Sequence, residues 1–261
     1  MKKILASVSM MLLMAVGALA AGQVKTPSCG TCGGSPTYQN YGAWQTGQGG
    51  EFTLIVVSGT DINLAAYSAG AKNQGGAANS FQTFCVEENE YIYPNTTSNY
   101  WLGTAADNGG VNTGTAPSGT TGHPDELSLG TAWLYSNFAG GLNFGGLTSY
   151  NYANASNGRY SDASDLQNAI WFLENEVATI STTNKFYLAV KTFFADDANL
   201  TNARANALGA YGVAALNIYN PTTGEKQQTQ LVLVPDAGFT VGLLGLGLSG
   251  LFVVSRKFRQ N

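Results

Sequence analysis

The feature that most narrows what this chain can fold into is the pair of apolar blocks at its ends. Lys2 and Lys3 precede an apolar run from Ile4 to Val16, and Ala18-Leu19-Ala20 supplies the small-x-small pattern that signal peptidase reads. Residues 1–20 are therefore expected to be a signal peptide cut after Ala20, because the run is too short to span a bilayer comfortably. At the other end, Phe239 to Val254 is apolar and rich in Leu and Gly, and Arg256, Lys257 and Arg259 follow at once. Such a block is near the lower length limit for a spanning helix, with its basic cluster on the cytoplasmic side. The folded domain must be built from what lies between, about 215 residues, enough for one domain with a real core or for two small lobes.

The residues just before the second block add a specific signal. Val234-Pro235-Asp236-Ala237-Gly238, then an apolar helix, then a basic stop, resembles the PEP-CTERM class of sorting signals in its VPDSG form, with Ala237 where that variant usually has Ser. An ordinary tail anchor would share the composition but not the order of parts. The resemblance implies a sorting motif at Val234, Pro235, Asp236 and Gly238, recognition by an exosortase, cleavage nearby, and a mature protein without the helix. Residues 235–261 are thus expected to be a removable sorting segment that anchors the chain in the inner membrane only transiently. Signal peptidase and exosortase are the expected partners during maturation, and the cell envelope, outer surface or extracellular matrix is the expected destination.

Charge narrows the partners of the domain. Of 12 Lys and Arg residues, seven (Lys25, Lys72, Arg159, Lys185, Lys191, Arg204, Lys226) lie between the two blocks, whereas 15 of the 16 acidic residues precede Pro235. An acidic domain is a poor match for nucleic acid or anionic lipid, both of which need clustered positive charge. No membrane contact is expected beyond the C-terminal segment. The polar surface must come mainly from Asn, Gly, Ser, Thr and Gln, as only 11% of the residues are charged.

Periodicity outlines an α+β fold over 51–234, a β-barrel or sandwich with a helical insertion. The Gly- and Pro-clustered stretch 21–50 is expected to be loose. Strands are expected at Glu51 to Val57, where Phe52, Leu54 and Val56 alternate, at Phe81 to Val86, and at Val213 to Tyr219 and Thr229 to Val234 about an Asn220-Pro221-Thr222-Thr223-Gly224 turn. Ala105 to Thr121 reads as a long exposed loop. Helices are expected at Glu126 to Phe138, capped by Asp125, at Asp162 to Val177, capped by Ser161 or Asp162, and at Lys185 to Ala195. The second has the clearest stripe: Leu166, Ala169, Ile170, Leu173 and Val177.

Cysteine usage gives the sharpest chemical signal. Cys29 and Cys32 can close a local disulfide in an exported protein, which leaves Cys85 alone. An inert buried residue would explain it. The flanking residues suggest more. Phe84-Cys85-Val86-Glu87 and Leu166-Gln167-Asn168-Ala169-Ile170-Trp171 resemble the two motifs of bacterial thioester domains, an aromatic-Cys segment and a hydrophobic-Gln-x-x-hydrophobic-Trp segment. The resemblance implies an internal thioester between Cys85 and Gln167, as on surface adhesins, that reacts with an amine of a partner. The chemistry sets its own demands: the thiol must be held against the amide, donors must await the oxyanion, and water must be kept out. Trp171, four residues after Gln167, shares its helix face. Phe84 and Trp133 are candidate walls of the shell, although all three aromatics serve equally well as core.

The rest of the chemistry points away from turnover. Glu87, Glu88 and Glu90 beside Cys85 would raise its thiol pKa, the wrong direction for a thiolate enzyme. His123, the single histidine, reads as a turn residue in Gly122-His123-Pro124. One histidine cannot build a multi-histidine metal site, and no nucleophile elbow, phosphate-cradling loop or zincin helix is present. No enzyme, cofactor or metal is expected. Two readings remain: covalent adhesion through Cys85 and Gln167 to an amine-bearing surface protein, and a non-covalent structural matrix protein associated with exopolysaccharide.

Overall fold

The computed structural model describes residues 21–26, 49–57, 79–93, 95–107, 125–153 and 157–234. They form a mixed helix and strand fold around one nearly closed, barrel-like sheet. Its strands are β1 (Ala21–Lys25), β2 (Phe52–Val56), β3 (Ser80–Thr83), β4 (Thr97–Gly103), β7 (Val213–Tyr219) and β8 (Gln230–Leu233), in the antiparallel order β3-β2-β1-β4-β7-β8. A two-stranded ribbon joins β5 (Ala105–Ala106) to β6 (Asp125–Glu126). Between β6 and β7 come three helices, α1 (Leu129–Ala139), α2 (Asn157–Leu173) and α3 (Lys185–Phe193).

The edges of the sheet meet just beyond β3. Val86 N–H donates to Thr229 O at 3.0 Å, Leu231 N–H donates to Phe84 O at 3.0 Å, and Cys85 bridges to Gln230. The Thr83 hydroxyl adds a bond to Leu231 O at 2.6 Å. Joining the edges removes unpaired backbone groups that would otherwise template aggregation. It also sets Cys85 at the seam.

Strand alternation then sorts side chains into two cores. Val24, Phe52, Leu54, Val56, Phe81, Tyr100, Leu102, Ala214, Leu216, Ile218 and Val232, from all six strands, form the core enclosed by the sheet. Their neighbours Val213, Ala215 and Leu231 point the other way, into a second core with Trp133, Phe138, Phe144, Leu166, Ile170 and Phe186 of the helical layer. The seam obeys the same rule: Cys85 joins the sheet core, while Phe84 and Val86 join the helical one.

Several sequence expectations shift at their boundaries. The stretch expected to be loose from residue 21 opens with β1, which sits between β2 and β4 with Val24 opposite Val56 and Ser98. Its short, Gly-containing pattern hid a strand stabilised by two neighbours. Ala105 and Ala106, expected at the start of an exposed loop, are buried in β5. The cap of α1 is Ser128, whose hydroxyl accepts from Thr131 N–H at 3.1 Å, and Asp125 lies in β6 instead. Helix α2 starts a turn before Ser161 and Asp162, so neither caps it, and it ends before Val177. In α3, Asn184 accepts from Phe186 and Tyr187 N–H, both at 3.0 Å. The β7–β8 hairpin falls where its turn residues placed it, with Gly224 at a φ of 71°.

Candidate functional site

Two strands and one helix converge on Gln167. Cys85 is fixed by the seam, and Gln167 is fixed by α2, whose apolar stripe is anchored in the helical core. Although 82 positions apart, the Cys85 Sγ and Gln167 Oε1 lie 3.1 Å apart. The amide carbon is one carbonyl bond further, within about 4.3 Å of sulfur. Both residues are buried, Gln167 at 1% exposure and Cys85 at 0%. Among the described residues Cys85 forms no disulfide.

The amide is held at both ends. Gln167 Oε1 accepts from the backbone N–H of Cys85 and of Gly50, each at 3.2 Å, and its Nε2 donates to Cys85 O at 2.8 Å. The carbonyl acceptor fixes which end of the amide is nitrogen. Two backbone donors on one carbonyl oxygen, in a site without water access, form the arrangement that stabilises an oxyanion.

Gly49 and Gly50, at the end of the stretch that composition predicts to be loose, belong to this site. Gly50 has a φ of 110°, a conformation that only glycine adopts readily. A Cβ at Gly49 would stand 2.5 Å from Trp171 Cη2 and 2.7 Å from Gln167 Cγ. The Gly49-Gly50 backbone therefore lies directly on the amide and the indole. The only trace of this in the sequence is a glycine pair running straight into a strand, a pattern compatible with close backbone approach.

Of the proposed shell, Trp171 joins the sheet core with Cys85. Among the described residues its buried Nε1 has no hydrogen-bond partner of normal geometry. The other two aromatics face away. Phe84 packs edge-on against Phe138 with ring centroids 4.9 Å apart, and Trp133 stacks on Phe193 at 4.5 Å, both in the helical core. Alternation along the seam puts Phe84 opposite to Cys85, and α1 carries Trp133 into the helical layer. Phe52, Phe81 and Tyr100 are further aromatics that share the Cys85 core.

Electrostatics keep the thiol protonated. Burial pushes the Cys85 pKa well up, Glu87 pushes it further, and the backbone N–H of Cys85 opposes them. Glu87 is itself buried and raised well above the carboxylate range by burial and by Glu90 and Glu176. Gln230, across the seam from Cys85, is buried, and its Oε1 has no hydrogen-bond partner among the described residues. Among the described residues, no group of His, Cys, Asp and Glu is arranged to hold a metal ion. Cys29, Cys32, His123, Pro235, Asp236 and Gly238 lie outside the described residues. So does the expected C-terminal span, and among the described residues no helix is long and apolar enough to cross a membrane.

A second buried cluster adjoins the first. Arg159 of α2 is fully buried and grips Glu51 through its Nε, at 2.9 Å from Oε2, and through its Nη2 on Oε1. Tyr150 OH donates to Glu51 Oε2 at 2.7 Å, and Arg159 Nη1 donates to Tyr152 O at 2.7 Å.

No curated protein and no solved structure matches the chain. One family model does: residues 234–258 match the VPDSG-CTERM motif. The match covers the C-terminal segment alone. It supports an exosortase-sorted C-terminal tag and, with it, an exported protein of the cell envelope.

Proposed function

We propose that this exported protein carries an internal thioester between Cys85 and Gln167 and uses it to attach covalently to an amine on a partner at the cell surface. The single observation that carries the reading is the buried contact of Cys85 Sγ with a Gln167 amide whose oxygen already accepts two backbone N–H groups. The backbone of Cys85 and Gly50 already satisfies the amide, and the Cys85 thiol is a further partner on the same oxygen.

Formation needs no co-reactant. Cys85 Sγ attacks the Gln167 amide carbon, and the negative charge that develops on Oε1 rests on the N–H groups of Gly50 and Cys85. The thiol proton passes to Nε2, the C–N bond breaks, and ammonia leaves as the S–C bond closes. Burial and Glu87 keep the thiol protonated, so the proton must leave sulfur as the S–C bond forms. In the second step, an amine attacks the same carbon, the C–S bond breaks, and a proton returns to sulfur. The products are an amide cross-link and a free Cys85 thiol, so each molecule acts once.

Intact mass of the mature domain tests the reading. The thioester form is one ammonia lighter than its sequence, and methylamine converts it to a species one methylene heavier than its sequence. A domain of unaltered mass whose Cys85 labels fully with a thiol reagent once denatured would overturn the covalent reading and leave the non-covalent, exopolysaccharide-associated matrix protein.

A further inference from the structure

The Glu51–Arg159 pair has no part in the bond itself, and burial makes it an expensive way to stabilise a fold. Removing two charges from water costs several kcal/mol per ion, and apolar residues of the same volume often serve as well or better. Its placement suggests what it does. Glu51 directly follows Gly50, the residue whose N–H meets Gln167 Oε1 at 3.2 Å. Arg159 lies on the ridge of α2 that continues through Ala163 to Gln167 and Trp171, each four residues from the last. Both oxygens of Glu51 are engaged, one by Arg159 Nη2 and the other by Arg159 Nε and Tyr150 OH, so the carboxylate has one orientation. The segment 49–51 is thus fastened to one helix at three successive positions: Gly49 against Trp171 and the Gln167 stem, Gly50 to the Gln167 amide, and Glu51 to Arg159.

We propose that Glu51, Arg159 and Tyr150 are positioning residues that hold the Gly50 N–H on the Gln167 carbonyl oxygen and so set the rate at which the Cys85–Gln167 bond forms. The inference rests on the thioester reading. The physical reason is the steep dependence of an oxyanion donor on position. Gly50 sits in a backbone conformation with a φ of 110° and has no side chain of its own to fix it, so its direction must be imposed by its neighbours. A guanidinium fork on a carboxylate fixes direction as well as distance, which a lysine would not do.

The test follows bond formation from a defined start. Unfolding the protein in concentrated ammonia cleaves the thioester and restores the Gln167 amide, after which refolding is accompanied by loss of ammonia that intact mass can time. Arg159→Lys keeps the charge but loses the fork, and it is expected to slow formation at least tenfold in folded protein, on the order expected for a misplaced group. The amide proton resonance of Gly50, measured in a Cys85→Ala background, should move upfield in the same variant as its hydrogen bond lengthens. A purely structural pair would alter stability and leave both readouts unchanged once the protein is folded. Tyr150→Phe removes one bond to Glu51 without stranding a charge, and it is expected to slow formation roughly threefold. It decides the matter should Arg159→Lys fail to fold. Formation at the wild-type rate in the folded variants overturns the positioning role while leaving the thioester intact. Absence of ammonia loss in the wild type overturns both.

Discussion

The two sides of the seam strand are built by different rules. On the helical side, Phe84 and Val86 share a core with Phe138, Trp133 and Phe144, an aromatic cluster whose members need volume and little direction. On the sheet side, one residue away, Cys85 bonds to Gln167, which also takes the Gly50 N–H and lies against the Gly49 backbone, so the contacts are directed hydrogen bonds or a backbone touching a side chain. Dispersion and area burial are forgiving of shape, whereas a buried amide is costly unless each partner is in place. A strand can therefore serve stability with one face and chemistry with the other.

Substitutions that separate the two faces sharpen this contrast. The largest effect on stability is expected from Phe138→Ala, which opens the aromatic core and should cost about 3–5 kcal/mol. Denaturant unfolding measures the loss, and the folded fraction should still show the mass of the bonded form. If Phe138→Ala abolishes the bond in protein that remains folded, the two faces are not independent. Gln167→Ala comes next. It strands the N–H of Gly50 and of Cys85 and the carbonyl of Cys85, but the smaller side chain leaves room for water to reach them, so about 1–3 kcal/mol is expected in all. It should also eliminate every trace of methylamine incorporation.

A smaller and more local effect is expected from Gly49→Ala. The new methyl would collide with Trp171 and the Gln167 stem at 2.5–2.8 Å. The overpacking should cost about 1–3 kcal/mol. Because the displaced atoms include the reacting glutamine, slower bond formation in refolded protein is the decisive reading, and an unchanged rate would show that the amide tolerates movement.

The smallest effect is on pH dependence. Burial raises Glu174 to about 7 and Glu176 to about 8. The folded state thus holds protons that the unfolded state releases in the ordinary carboxylate range. Stability contributed by these groups is fully present at acid pH below that range and is lost as pH rises through about 8. The midpoint of thermal unfolding should decline between pH 5 and pH 9, and Glu176→Gln should flatten the decline. A midpoint that rises over that interval would show these carboxylates to be charged in the fold.

The pattern of side chains explains why some of this was readable in advance. Phe52, Leu54 and Val56 alternate and Leu166, Ala169, Ile170 and Leu173 recur at helical spacing, so β2 and α2 are visible locally, as is the β7–β8 turn. The ends of elements were less visible, because Ser128 and Asn184 compete as caps with other polar residues nearby and the winner is decided by what the first turn packs against. Phe84 and Trp133 were placed in the shell on residue type alone, yet which face of a strand or helix looks at Cys85 depends on register.

What the sequence by itself determined is therefore local or compositional: the apolar ends with their flanking charges, the tag at 234–258, the acidic balance of the domain, and the Cys and Gln that chemistry could join. The tertiary structure alone decided that these two meet, because their encounter requires the sheet edges to close at Cys85 and α2 to lie across the seam. It also decided that Gly49 and Gly50 supply the backbone beside the amide, and that Glu51 and Arg159 pair over 108 positions. Glycine has no side-chain pattern to read, and a buried ion pair is indistinguishable in sequence from two surface charges until a fold brings them together.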